Sequence, residues 1–295
     1  MDIVVATSVP IKQQNAGGDQ SVRPGGIRRQ FLLDDSPPSG PNFVFYRSAY
    51  QPGTDAFSSP RHHHGFQQIR WTESGAVNYA PDKYIEAGDI CYFPRGAYYG
   101  PQMKDTGVQW LLQFGFDGEH QYGEAWDAYR AASIEQMKAN GRLEGGQYFD
   151  VDPDTGQERV RDASGVQYEL QWRMATGKTF VIPPEGYETP ILMHPPAFSY
   201  YQTAPGVEAK NLGRFFDHPG PNGDTRLSMM RITDDAVHTF GPERAQIAWT
   251  RDAGLRIDGE GYPELTCLYS PRDEKVDLSS VGEVEMYVIE LPRLD

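Results

Sequence analysis

Cysteine is nearly absent: Cys91 and Cys267 are the only two in 295 residues. Two thiols can build neither a disulfide framework nor a thiolate zinc site. Basic residues are also scarce, 27 against 41 acidic, which leaves a formal charge of −14. So acidic a chain has nothing to neutralise a run of phosphates, which excludes nucleic acid as a partner and disfavours anionic membrane surfaces. No apolar run approaches the roughly 18 residues of a spanning helix. Asn-x-Ser/Thr acceptors are missing, and Met1 to Gly18 lacks the charged-then-apolar pattern of a secretory signal. Gly-x-Ser-x-Gly, Walker and dinucleotide-binding fingerprints are missing as well. That sets aside serine hydrolases, nucleotide cofactors and Rossmann folds. The expectation is a soluble cytoplasmic protein that acts on a small molecule.

What the chain does have is 31 glycines, 23 prolines and 12% aromatic residues, a composition suited to short strands and tight turns. Alternating apolar runs begin near Phe31, among them Phe43–Tyr46, Asp89–Phe93 and Val108–Phe114. Turn residues separate them at Pro52-Gly53, Ser74-Gly75, Ala87-Gly88-Asp89 and Pro94-Arg95-Gly96. Gly123 to Leu143 instead carries apolar residues near a 3.6 period and predicts a helix. The run Asp150–Gly156 reads as a solvated hairpin turn; it lacks the closing Glu of a calcium loop. Strand-like runs resume in Arg226–Ile232, Ala245–Trp249, Leu265–Tyr269 and Val284–Leu291. The pattern predicts an all-β chain with two similar halves. Its segments are an N-terminal arm over 1–30, a first barrel over 31–118, a helical bridge and connector over 119–179, and a second barrel over 180–295.

The chemistry concentrates in Pro60 to Pro101. On a strand, alternate side chains share a face, so His62, His64, Phe66, Gln68 and Arg70 would line one side and His63 the other. Two imidazoles at i and i+2 can reach one metal ion, and a third ligand four residues later can join them. Glu73 has the opposite parity.

His62-x-His64-x3-Gln68-x6-Gly75 resembles the first cupin motif, and Gly88-x5-Pro94-x-Gly96 resembles the opening of the second. The match is clear over roughly residues 43–116 and vaguer over about 205–292, so the chain resembles a bicupin. The resemblance implies two double-stranded β-helix (jelly-roll) barrels with a short helical insertion between them. It also implies a homodimer paired through its sheets, with the N-terminal arm crossing over. It places a divalent metal (iron, manganese, nickel or zinc) at His62, His64, Gln68 and Tyr99.

Departures from the pattern matter. Gln68 stands where the family has Glu, and Tyr99 where it has its last His. A divalent ion with no carboxylate should bind more weakly. Tyr99 could add charge only as a phenolate, from an unperturbed pKa near 10. The second half keeps a lone His238 with Gln246 nearby and no His-x-His, so the second barrel is expected to be degenerate.

Three readings of His62 and His64 stay open: a metal site, acid–base catalysis or ligand binding without metal, and a structural pair. In the first, a metal enzyme acts on an aromatic or enolisable oxygenated substrate, as a dioxygenase first and an isomerase or lyase second. In the second, the imidazoles, Arg70 and Tyr99 serve as base, oxyanion partner and phenolic acid of a decarboxylase, dehydratase or cyclase. Arg70 and Tyr99 are the catalytic candidates in either case. Phe66, Tyr92, Trp110 and Gln113 are the candidates for contacting substrate, although Trp110 and Gln113 have opposite parity on one strand and only one of the two can face the pocket.

Overall fold

The computed structural model describes residues 1–14, 22–35, 42–50, 56–104, 106–115, 124–182, 186–216, 223–234 and 236–293. The glycine-rich stretch at Asn15–Gly18, the turn at Pro52-Gly53, Gly123, His120 and His218 lie outside the described residues. Strands dominate, and the chain divides into two compact units.

One unit gathers Met1–Pro10, Gln30–Arg47 and Met193–Asp295. Its seven-stranded antiparallel sheet runs in the order Asp2–Val5, Thr266–Ser270, Gln246–Thr250, Val284–Glu290, Thr225–Ile232, Val207–Phe215, Tyr201–Ala204. A four-stranded sheet contributes His238–Phe240, Val276–Ser280, Leu255–Ile257 and Glu260–Gly261. Period-2 alternation puts Met230, Ile232, Ala248 and Met286 of the first sheet into one core with Phe240, Leu255, Val276 and Leu278 of the second. This is a jelly-roll barrel, closed by apolar burial on the inner faces of both sheets.

The linear segment boundaries do not survive folding. The start of the presumed arm is a strand of this sheet, with Asp2 opposite Tyr269 and Val5 opposite Thr266. Residues 30–47 join the same unit because Phe43 packs edge-on to Tyr269 at 4.8 Å and Phe45 lies 5.1 Å from Trp249. Aromatic anchoring outweighs sequence proximity here.

The other unit gathers Ile11–Arg29 and Ser48–Leu192. Its central ladder places the strand Gln67–Ser74 between Ile90–Phe93 and Val108–Phe114, all antiparallel. Gly75 turns the chain into the hairpin Ala76–Ala80/Lys83–Glu86 with φ of +75°, and Gly107 lies so near that a Cβ at 75 would stand 3.0 Å from its Cα.

The insertion belongs to this unit. It comprises α1 (Glu124–Asn140), a three-stranded meander (Gly141–Glu144, Gln147–Val151, Glu158–Asp162) and α2 (Ala163–Thr176). Ile134 and Met137 of α1 share a core with Tyr148, Ala163 and Val166, so the insertion has its own apolar centre. The predicted helix is therefore shorter than its periodicity suggested, because Gly141 starts a strand that pairs with Asp150. A second helix was not foreseen. Its signals are present: the Asp162 side chain accepts from Gly165 N at its start, and Gly177, at φ +71°, ends it.

Buried charge in the second-barrel unit is compensated at Asp224. Asp224 is buried and accepts from Arg214 Nε at 2.6 Å, Arg226 Nε at 2.8 Å and Arg244 Nη1 at 3.1 Å. Burial alone would raise this carboxyl, but the bonds from Arg214 and Arg226 and the charge of Arg244 win and hold it at about 2. Its contribution to stability is therefore present above the ordinary aspartate range near 4 and is lost as pH falls through about 2. Asp224→Asn should cost about 3–5 kcal/mol in denaturant unfolding at pH 7, because it strands buried Arg244. A cost under about 1 kcal/mol would show that solvent already compensates the arginines.

Candidate functional site

Residues 61–66 do not form a regular strand. They are held instead by backbone bonds to the segment that follows Pro94. His62 N donates to Tyr99 O and Tyr99 N donates to His62 O, each at 2.9 Å, and Gly96 N donates to His64 O at 2.8 Å. Gly96, at φ +76°, makes this close return possible. The two histidine-bearing and proline-glycine motifs are thereby zipped together.

Loss of strand alternation changes where the imidazoles point. His62 and His64 come together, with ring centroids 5.0 Å apart, and both line a cavity. His63 lines it too, rather than facing away, with its ring stacked 4.1 Å from Tyr98. Phe66 stacks on His64 at 4.5 Å and 16° and forms part of the wall, as a substrate-contacting residue would.

His62 is the better defined of the pair. Its Nδ1 stands 2.7 Å from Pro60 O, an acceptor only, so Nδ1 carries the hydrogen and Nε2 the lone pair. That Nε2 is buried with no hydrogen-bond partner among the described residues. Burial first, then the charges of Arg23 and His64, hold the ring well below the ordinary imidazole range, against a smaller upward pull from Pro60 O. Burial, then Arg23 and Arg70, do the same for His64. Both rings are neutral at pH 7.

Strand alternation does hold from Gln67 onward, and it sorts the remaining candidates. Gln68, Arg70 and Thr72 lie directly opposite Gln113, Leu111 and Gln109 on one side of the ladder, and Gln68 and Arg70 lie opposite Phe93 and Cys91 on the other. Opposed residues share a face, so Gln113 is on the Gln68 face. Tyr92 pairs with Ile69 and Trp110 with Trp71, on the reverse face. Tyr92 and Trp110 therefore fail as substrate contacts, and Gln113, although on the Gln68 face, is like Gln68, Arg70 and Tyr99 not among the described residues that line the cavity. Tyr92 packs edge-on to Tyr187 at 6.0 Å, and Trp110 Nε1 donates to Glu73 at 2.6 Å.

Gln68 and Tyr99 are committed to Arg70. Arg70 Nη2 donates to Gln68 Oε1 at 2.8 Å and to the Tyr99 hydroxyl at 3.0 Å; its Nε donates to the same Gln68 oxygen at 3.1 Å. Gln68 Nε2 donates to the Tyr99 hydroxyl at 2.9 Å. The guanidinium lies 4.2 Å from the Phe93 ring centroid and is buried, with Nη1 unpartnered among the described residues. Among the described residues no carboxylate pairs with Arg70 or with the equally buried Lys104, whose Nζ donates to the Tyr50 hydroxyl at 3.2 Å.

The cavity measures about 370 Å³. His62, His64, Phe66 and Tyr98 form one side; Asp162, Val166, Tyr168 and Phe180 of the insertion form another. Sequence reasoning missed this second wall, and it missed Arg23, which it placed in a loose arm. Arg23 pairs with Asp162 at 3.3 Å, and both side chains are largely buried. No local motif marks such a pair, since its partners lie 139 residues apart.

These residues fit a divalent ion in part. Two neutral imidazoles, one with an orphaned Nε2 and its other nitrogen anchored on a carbonyl, are what a metal ligand pair requires. The oxygen ligands expected at Gln68 and Tyr99 are instead turned to a guanidinium, so that half of the set is corrected. No group of three or more His, Cys, Asp or Glu side chains converges among the described residues.

Barrel, motifs and insertion together give the chain the bicupin fold, with two cupin barrels in one polypeptide. No protein-family model matches the sequence, and no curated protein matches it. Solved structures do match. A mutant of Bacillus subtilis oxalate decarboxylase superposes with TM-score 0.53 at 12% identity over 98% of this chain and 77% of that one. A structure describing the substrate binding mode and a reaction specificity switch in oxalate decarboxylase gives TM-score 0.53 at 12% identity, over 99% and 78%. A third, concerned with the Mn(II) centers of the Bacillus subtilis enzyme, gives 0.52 at 12%, over 99% and 78%. At this identity the likeness is one of fold. No helix among the described residues is long and apolar enough to cross a membrane.

If Arg70 limits metal binding, restoring a carboxylate and removing the cation should relieve it. The double variant Gln68→Glu/Arg70→Leu is expected to bind Mn(II) at least about tenfold more tightly than wild type in titration calorimetry. Equal affinities would show that Arg70 does not govern the site.

Proposed function

We propose that the chain is a small-molecule enzyme of cupin type whose active site is the cavity at His62 and His64, with a divalent metal held by those two imidazoles. The observation that carries this reading is the His62 Nε2, buried and without a hydrogen-bond partner among the described residues, on a ring 5.0 Å from that of His64 beside a cavity of ligand size. The fold neighbours with Mn(II) centers support a metal in this type of barrel. A bound divalent ion would supply Lewis-acid polarisation of a substrate oxygen.

The chain's own residues do the rest. Pro60 O fixes the His62 tautomer, so its Nε2 is presented to the site and not to solvent. Phe66, stacked on His64, offers an apolar face to a planar substrate. Arg70 keeps Gln68 and Tyr99 in place and leaves the interior positive, which favours a substrate that carries or develops negative charge. An aromatic or enolisable oxygenated compound satisfies both requirements. Dioxygenase chemistry is the first reaction class, isomerase or lyase chemistry the second.

One observation favours a metal-free alternative. The guanidinium already occupies the oxygens of Gln68 and Tyr99, so His62 Nε2 would act as a base at the cavity wall, with the charge of Arg70 behind it favouring the enolate formed. Elemental analysis of untagged protein separates the two. The metal reading expects near-stoichiometric iron, manganese, nickel or zinc that is lost in His62→Ala, and turnover of an aromatic acid or diketone that stops on chelation. Turnover that survives chelation would transfer the site to acid–base chemistry, and turnover unchanged in His62→Ala would sink both.

A further inference from the structure

Lys104 is a buried amine that the chemistry above leaves unused. It is 3% exposed and ends a short strand, Gln102–Lys104, that pairs antiparallel with Phe57–Ser59. Its Nζ donates to the Tyr50 hydroxyl at 3.2 Å. The same nitrogen lies 4.8 Å from the Tyr50 ring centroid and 5.6 Å from that of Phe57. Both rings belong to an apolar cluster with Ile27 and Val77, so the amine is lodged in core.

An ammonium with one neutral oxygen and two rings for company keeps little of what water gave it. Among the described residues no carboxylate pairs with it, and the charges that act on it are those of Arg70, Arg29 and Arg23. Burial first, then those three guanidinium groups with Arg70 foremost, hold the amine well below the ordinary lysine range. A neutral lysine carries a lone pair and is a nucleophile. The field that disfavours an ammonium at this nitrogen favours an anion there.

We propose that Lys104 is a carbamylation site, at which the side-chain amine takes up carbon dioxide to give a carbamate. The nitrogen lone pair forms a C–N bond to the carbon of CO2, one C=O electron pair moves onto oxygen, and an N–H proton leaves to solvent. No oxidant or reductant is needed. The product is an anion in the field of three cations, whereas an imine formed with an aldehyde would gain nothing from them. Carbon dioxide is small and uncharged, so its entry needs no cavity of substrate size. Tyr50 is placed to hold the product. Its hydroxyl donates to Gln109 Oε1 at 3.3 Å, long beside the ~2.7–2.8 Å usual for O–H···O, and can turn to a carbamate oxygen instead. Gln109 stays anchored, since its Nε2 donates to Thr72 Oγ1 at 2.9 Å. Lys104 does not line the histidine cavity, so the reading of that cavity and this one can fail separately.

The probe is carbon dioxide itself, supplied to the intact protein by isotope-labelled bicarbonate. Alkylation with a trialkyloxonium salt converts a carbamate into a stable ester, which peptide mass spectrometry locates. Wild type should carry the labelled ester on the peptide that contains Lys104. Unfolding before alkylation should abolish it, because the exposed amine returns to its ordinary, protonated form. Lys104→Met should remove the ester. Tyr50→Phe, which keeps the lysine should the methionine variant fold poorly, should weaken the uptake of CO2 at Lys104 by at least about tenfold in a bicarbonate titration, as loss of a bond to a charged group would. Esters confined to the N-terminal amine and surface lysines of folded wild type would overturn the proposal, and so would a Lys104 ester that forms equally well in the unfolded chain.

Discussion

A guanidinium cannot shed its proton to escape burial, and Arg70 is buried inside the first barrel without a carboxylate beside it among the described residues. Such a charge is tolerated only if dipoles and rings replace its water. Gln68 Oε1, the Tyr99 hydroxyl and the face of Phe93 do this, and strand geometry explains why they can. Gln68 and Arg70 are two residues apart on one strand, and Phe93 lies directly opposite Gln68. Tyr99 is pinned to His62 by two backbone bonds. Solvating Arg70 therefore also orders the segment that carries the first histidine. A carboxylate at 68 would neutralise the cation, whereas the amide leaves its charge in place and keeps the interior positive.

The same constraint governs the imidazoles. A protonated ring would sit among Arg23, Arg70 and a second imidazole in a site that water scarcely reaches, so both rings stay neutral. Neutral rings can bind a metal or accept a proton. The carboxylates that line the same cavity, Asp162 and Glu169, stand in its other wall, with Asp162 tied to Arg23.

Much of this was legible in the sequence. The spacing His62-x-His64-x3-Gln68 with Pro94-x-Gly96 located the site, and apolar alternation gave an all-β architecture. The failures have physical causes. Tyr92 and Trp110 are aromatic and near the motifs, but parity relative to Gln68 decides their face, and it sends both away. Parity was in turn applied to 61–66, where the backbone bends to meet Tyr99 and Gly96, and there it misplaced His63. The insertion's second wall depends on contacts such as Gly65–Phe180 and Arg23–Asp162. Partners more than a hundred residues apart leave no periodic trace.

The second barrel handles buried charge differently. It too buries an arginine, Arg244, but sets Asp224 against it together with Arg214 and Arg226. Arg244 Nη1 meets the Asp224 carboxylate, and its other nitrogens donate to the backbone oxygens of Leu291 and Asp224. His238 is half-buried with Phe240 edge-on at 5.7 Å, while Gln246 Nε2 donates to Gly241 O. Carboxylate compensation makes that arrangement self-sufficient and chemically closed. In the first barrel Arg70 is answered instead by the neutral oxygens of Gln68 and Tyr99 and by the Phe93 ring, so its charge is not cancelled by a carboxylate among the described residues.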